Sequence, residues 1–175
     1  VRAPHGMVAS TSEIASRIGA DVMKRDGTAV DAAVAVAFAL AVTWPQAGNL
    51  GGGGFMLVRK SDGAAEAIDY RERAPLAATK NMYLDAEGNV IKGLSTDGYK
   101  AVAVPGTVAG LMLAHKRHGK LPWRDLVEPA RKLAADGIVV NYHLARSLTI
   151  RSNQEKLARW EDSRRIFLRD GKSYA

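Results

Sequence analysis

The chain contains no cysteine. That excludes a disulfide scaffold, a thiolate nucleophile and a cysteine-ligated metal, and it leaves the compartment open. Aromatic residues make up only 6% of the sequence, so aliphatic side chains must do most of the packing. Long apolar runs are also missing. The longest, Ala32 to Val42, has eleven residues, against the roughly 20 a membrane-spanning helix needs. It reads as a buried helix. No signal-peptide pattern stands at Val1, and Val1-Arg2-Ala3-Pro4 does not resemble a translation start. The expectation is a chain that begins after a removed leader or an internal cut.

Signatures of self-sufficient catalysis are absent as well. No serine or threonine lies in a G-x-S-x-G elbow. His115 and His118 have a spacing a metal could use, but no Glu-x-x-His or His-Glu-x-x-His pattern surrounds them. Lys116 and Arg117 between them mark a solvated helix end, so no metal site is expected. The run Gly48-Asn49-Leu50-Gly51-Gly52-Gly53-Gly54 invites comparison with a phosphate loop. It lacks the following lysine and Ser/Thr. It also leads from helix to strand, whereas phosphate loops lead from strand to helix so that helix amides face the anion. The glycines therefore read as a close-packed connection beside a site rather than as ligand contacts.

What is present is an ordinary globular composition, 47% apolar over 175 residues with a net charge of +7. The charge is uneven. Residues 1–114 hold 11 basic and 11 acidic side chains, and residues 115–175 hold 14 and 7. No block of five like charges occurs in the basic part, which favours a solvated or partner-facing surface over nucleic-acid binding.

Periodicity and capping residues outline the elements. Ser10 and Glu13 fit a capping box, followed by an apolar stripe of Ile14, Ile18 and Val22, with Gly27 as a left-handed stop. Thr28 and Asp31 cap a second helix, apolar all round and therefore central, that ends near Trp44-Pro45. Residues 55–58 read as a short buried strand, 60–63 as a turn, and Ala65 to Arg71 as the returning strand. Alternation puts Asp69 and Arg71 on one face, Ile68 and Tyr70 on the other. Residues 76–100 read as irregular, with a turn at 87–89. Pro105 suits a first helical turn in a helix ending at Gly119. A helix from Pro122 to Asp136 follows, kinked or divided at Pro129, then one from Asn141 to about Arg159. Ile166 to Arg169 reads as a strand before an Asp170-Gly171 turn. The return strand of that hairpin is not apparent, which suggests truncation.

The run Asp69-Tyr70-Arg71-Glu72-Arg73-Ala74-Pro75 stands out. Arg71 lies where the strand ends, and a guanidinium there can grip a carboxylate with two parallel hydrogen bonds. A surface ion pair with Glu72, Asp69 or Glu66 accounts for it equally well from pattern alone.

Several stretches, taken in order, resemble the large subunit of gamma-glutamyltranspeptidases. They are Gly6-Met7-Val8-Ala9-Ser10, Asp31 to Val36, Pro45 to Met56, Asp69 to Pro75, Pro105-Gly106-Thr107-Val108-Ala109-Gly110 and Ala134-Ala135-Asp136-Gly137. Trp44 departs from the histidine frequent in relatives. The resemblance implies an α+β fold, an Ntn-hydrolase α-β-β-α sandwich. Residues 1–175 would form a single incomplete domain, one helical layer with part of the sheet. It implies a self-cleaving precursor whose small subunit, outside this chain, starts with a nucleophilic threonine. That threonine carries a gamma-glutamyl group from glutathione and related donors to water, amino acids or peptides. Arg71 matches the arginine that binds the glutamate alpha-carboxylate, and Glu72 an acidic neighbour that supports it. No catalytic residue, cofactor or metal is expected in this chain. The expected partners are the small subunit and gamma-glutamyl substrates, with neither nucleic acid nor membrane span, in the periplasm or cell exterior. The chain alone is expected to be inactive. A related acylase, a poly-gamma-glutamate hydrolase or ligase, and a non-catalytic truncated fragment stay open as alternatives.

Overall fold

The computed structural model describes residues 3–173. Helix α1 spans Glu13–Lys24. Its N-cap is Ser12, whose hydroxyl accepts the Ala15 N–H at 3.3 Å. The capping box expected on Ser10 and Glu13 does not form. Glu13 instead accepts from Arg17 one turn on, an i,i+4 pair. The expected stripe is also rotated. Ala15, Gly19 and Val22 are the buried positions, while Ile14 faces outward. The reason is close packing on α2, residues Ala29–Thr43, because a Cβ on Gly19 would lie 2.6 Å from the Val36 side chain.

At the end of α1, Asp26 takes the left-handed conformation (φ 65°) expected of Gly27. A short polar side chain tolerates that region. Gly27 serves another need. A Cβ there would meet the Val22 carbonyl oxygen at 2.8 Å.

Helix α2 opens with the expected box. The Thr28 hydroxyl accepts the Asp31 N–H, and the Asp31 carboxylate accepts the Thr28 N–H. Asp31 has a second task. Its fully buried carboxylate also accepts the N–H groups of Lys120, at 3.0 and 3.1 Å, and Leu121, at 3.3 Å. The Thr28 hydroxyl donates to the His118 carbonyl. One helix start is thereby fastened to the connection between α3, Thr107–His118, and α4, Trp123–Asp136.

Helix α2 lies against α1, α3 and α4, and its Val34, Ala35 and Phe38 join Val22, Leu111, Ala114, Leu126 and Ala130 in the core. Trp123 meets Phe38 edge-on at 5.4 Å. Helix α4 runs unbroken through Pro129. Pro105 falls outside α3, which starts after Gly106 without a side-chain cap.

Strands β1, Phe55–Arg59, and β2, Ala65–Asp69, form an antiparallel hairpin with Phe55 opposite Asp69 and Arg59 opposite Ala65. The hairpin is covered on one face only. Met56, Val58 and Ile68 pack towards the helices, whereas Phe55 and Leu57 are exposed. The continuous apolar run does not make β1 buried on both sides. The chain is thus α+β, helices on one face of a hairpin.

Beyond α4 the expected single helix is three. These are α5, Tyr142–Thr149, α6, Arg151–Ala158, and α7, Glu161–Phe167. The break comes at Ile150, whose ψ of 119° is extended. The hairpin after α7 does have its return. Strand β3, Leu168–Arg169, pairs with β4, Lys172–Ser173, through a turn with both Asp170 and Gly171 at positive φ. That turn chemistry favours a two-residue hairpin.

Three chain segments meet at Tyr70, directly beyond β2. Gly54 and Tyr70 exchange backbone hydrogen bonds, and the Gly52 carbonyl accepts the N–H groups of Gly106 and Thr107. A Cβ on Gly53 would lie 2.5 Å from the Tyr70 carbonyl oxygen, and one on Gly106 only 2.0 Å from it. A Cβ on Gly110 would strike the Tyr70 ring at 2.2 Å.

Asp31→Ala leaves the Lys120 and Leu121 amides without their acceptor and should destabilise the protein by about 3–5 kcal/mol. Asp31→Asn, which keeps one acceptor oxygen, should lose less. Urea denaturation midpoints of the two variants check the order. Gly106→Ala forces the Tyr70 carbonyl to move and should lower stability by roughly 1–3 kcal/mol. Gly51→Ala, where a Cβ meets nothing within 4 Å, should lie within about 1 kcal/mol of the parent protein.

Candidate functional site

Arg71 follows β2 by two residues. Its N–H donates to the Asp69 carboxylate at 2.9 Å, which turns the chain out of the strand. Two residues further on, Arg73 and Val104 exchange backbone hydrogen bonds at 3.1 and 2.8 Å. Between these fixed points the Arg71 side chain projects with 57% of its surface exposed. Its nearest charged neighbour is Glu72, at 3.3 Å from Nη1. That contact falls outside hydrogen-bonding geometry. The buried Oε2 of Glu72 has no hydrogen-bond partner among the described residues.

A carboxylate oxygen left in that condition is costly unless something completes it. It draws the guanidinium towards itself, and most of the guanidinium donors remain free for a ligand. Tyr70 supplies the footing. Its ring is packed on the core, its hydroxyl donates weakly to the Phe55 carbonyl at 3.4 Å, and burial pushes the phenol above its ordinary pKa.

Arg71 and Glu72 line an open cavity of about 570 Å³, together with Arg73, Pro75, Tyr83 and Lys100. Two segments, residues 71–75 and residues 100–103, form most of its wall, and Gly51, Ala78, Met82 and Tyr83 complete it. The second is held by the Tyr83 hydroxyl, which donates to the Lys100 carbonyl at 3.1 Å, and by the Arg73–Val104 pairing. Three cations against one carboxylate give the cavity a positive surplus, which suits an acidic ligand.

The glycine run divides its work. Gly53 and Gly54 lie against Tyr70, and only Gly51 reaches the cavity wall. Asn49 accepts a hydrogen bond from the Thr107 hydroxyl at 2.8 Å, fastening the loop to the start of α3. Sequence reasoning gave no site role to Asn49, Thr107, Arg73 or Lys100, although Asn49 and Arg73 lie in the two runs it singled out. A usable signal was the glycine pair at 106 and 110, one helical turn apart, which announces a close approach from outside the helix.

The two paired histidines are separately engaged. His115 Nε2 donates to the Leu121 carbonyl at 2.7 Å, and His118 Nε2 to Glu66 at 2.7 Å. Glu66 also pairs with Arg117. These partners hold its carboxyl below the usual range and tie β2 to the end of α3. Among the described residues, no group of three or more histidine, aspartate or glutamate side chains gathers in a metal-ligating arrangement. No helix among them is long and apolar enough to cross a membrane.

Residues 15–175 match the family described as Gamma-glutamyltranspeptidase. The chain is 51% identical over 171 residues to a glutathione hydrolase proenzyme of Escherichia coli, covering 98% of this chain and 29% of that protein. Its fold superposes on the crystal structure of Helicobacter pylori gamma-glutamyltranspeptidase with a TM-score of 0.94 at 42% identity, covering 99% of this chain and 50% of that one. The enzyme of Pseudomonas nitroreducens, solved in complex with L-DON, gives 0.81 at 47% identity, with 90% and 45% covered. The chain therefore spans about three-tenths of the length of the curated relative and half that of the solved ones. On identity and extent of match together, the chain belongs to the gamma-glutamyltranspeptidase family.

Proposed function

We propose that the protein carrying this chain is a gamma-glutamyltransferase and glutathione hydrolase, and that Arg71 holds the alpha-carboxylate of its donor. Residues 1–175 are then the N-terminal part of the large subunit. They contribute one helical layer and part of the sheet to an α-β-β-α sandwich. The observation that carries the assignment is a half-exposed guanidinium on a glycine-braced strand end, in a cavity with surplus positive charge, in a chain of this family.

The proposed chemistry divides between two polypeptides. A threonine leading the small subunit attacks the gamma-carbonyl of the donor and retains the glutamyl group as an ester. Water, an amino acid or a peptide then takes it. The present chain contributes position. A forked cation on the alpha-carboxylate sets the distance of the gamma-carbonyl from the nucleophile, because the glutamyl side chain has fixed length. Glu72, with its unpartnered buried oxygen, supports the guanidinium in that pose. This chain alone performs no turnover. Export to the periplasm or cell exterior accompanies this reading, on the family resemblance.

Lysine at position 71 keeps the charge but loses the two-pronged geometry. In the complete enzyme, Arg71→Lys should raise KM for gamma-glutamyl donors by about tenfold or more, as befits loss of a charged hydrogen bond, while self-cleavage of the precursor continues. Steady-state kinetics with gel analysis of processing checks both. Donor KM unchanged in the variant would remove the assignment.

A further inference from the structure

Strand β2 turns an acid inward. Glu66, Ile68 and the following Tyr70 share the face that meets the helices, while Ala65, Ala67 and Asp69 face outward. Ile68 is buried and Tyr70 is packed on the core, so packing alone calls for a third apolar side chain at position 66. A carboxylate there gives up hydration and needs partners. It has two, both from the last turn of α3. His118 Nε2 donates to one Glu66 oxygen at 2.7 Å, and Arg117 donates to the other. His118 is itself withdrawn from solvent, with only 13% of its side chain exposed, and its carbonyl accepts from Thr28 at the start of α2. Through His118 the acid is tied to the helical frame.

The other end of α3 meets the same face of the strand, where Gly106 and Gly110 lie against Tyr70. Helix and strand run in opposite directions between the two contacts, and their lengths agree. From Gly110 to His118 the helix rises about 12 Å, and from Tyr70 back to Glu66 the strand extends about 13 Å. The contact of Ile68 between them is apolar and therefore non-directional. Two attachments that far apart fix the bearing of β2, whereas the one at Tyr70 leaves it a pivot. Arg71 is the first residue beyond that pivot, so the bearing of the strand sets the direction in which the guanidinium leaves the chain.

We infer that Glu66 is a positioning residue for donor binding. By fastening β2 to the end of α3 it aims the Arg71 guanidinium, and it does so without touching the donor. This rests on the assignment of Arg71 as the alpha-carboxylate anchor. A forked cation gives up its two parallel hydrogen bonds on a small change of angle. The loss falls on the hold of the donor and leaves the attack of the threonine on a bound donor as it was, so KM changes and kcat does not.

The test is a double-mutant cycle in the complete processed enzyme, with glutathione as donor. Glu66→Ala should raise KM about threefold to tenfold, the weight of a coupling between interacting residues, and leave kcat within about twofold. In an Arg71→Lys background the same change should raise KM by less than about twofold, because a residue that acts through Arg71 has little left to aim. Glu66→Gln, which keeps the shape and one acceptor oxygen, should show the same pattern with a smaller rise, and it carries the comparison if the alanine variant is not processed. An unchanged KM in the Glu66 variants, an equal rise in both backgrounds, or a loss of active enzyme with KM untouched would overturn the positioning role. An Arg71→Lys enzyme with the parent's KM would instead overturn the anchor, whatever Glu66 does.

Discussion

Three glycines and one tyrosine fix the place of Arg71. The Tyr70 carbonyl is approached by Gly53 on one side and Gly106 on another, each closer than any side chain would permit. The Tyr70 ring fills the space that Gly110 leaves open. A guanidinium on a long side chain loses much of its orienting value if the backbone beneath it drifts. Here that backbone is wedged among the glycine loop, the start of α3 and the end of β2. The four-glycine run, entropically expensive in an unfolded chain, makes sense as the condition for that wedge.

The wedge depends in turn on a helical frame held by Asp31. Its carboxylate closes the capping box of α2 and also receives the amides that follow α3. The helix that brings Gly106 and Gly110 to Tyr70 is thereby anchored at its other end. His118, Arg117 and Glu66 add a link from the end of α3 to β2. The hairpin is thus gripped at both ends of one helix, by close packing at its start and by charge at its finish. The outer face, with Phe55 and Leu57 exposed, is the side of the hairpin that these helices leave uncovered.

Much of this was legible in the sequence, and the failures have physical causes. The α2 box, the hairpin and the stop at Gly137 follow from local chemistry and were read from it. The α1 cap was misplaced because Ser10 and Ser12 both offer hydroxyls, and Glu13 pairs with Arg17 one turn along the same helix instead of closing the box. The α1 stripe was misread because close helix packing selects small residues, so Ala15 and Gly19 displaced the larger Ile14. The break at Ile150 has a weak local signal, and the return strand, only Lys172–Ser173, was too short to read although the Asp170-Gly171 turn announces it. Of the site, Arg71 and Glu72 were visible through the strand-end pattern and family resemblance. Arg73 and Lys100 were not, because their meeting depends on the pairing of Arg73 with Val104, thirty-one positions away in the sequence.

The position of a donor's acid end relative to the Arg71 guanidinium decides the assignment. A crystal structure of the complete enzyme with a bound gamma-glutamyl analogue measures that directly. The account predicts the analogue's alpha-carboxylate in forked contact with the Arg71 guanidinium, at about 2.7–2.9 Å. An alpha-carboxylate held by other groups, with Arg71 still turned to Glu72 and more than roughly 6 Å away, would contradict it.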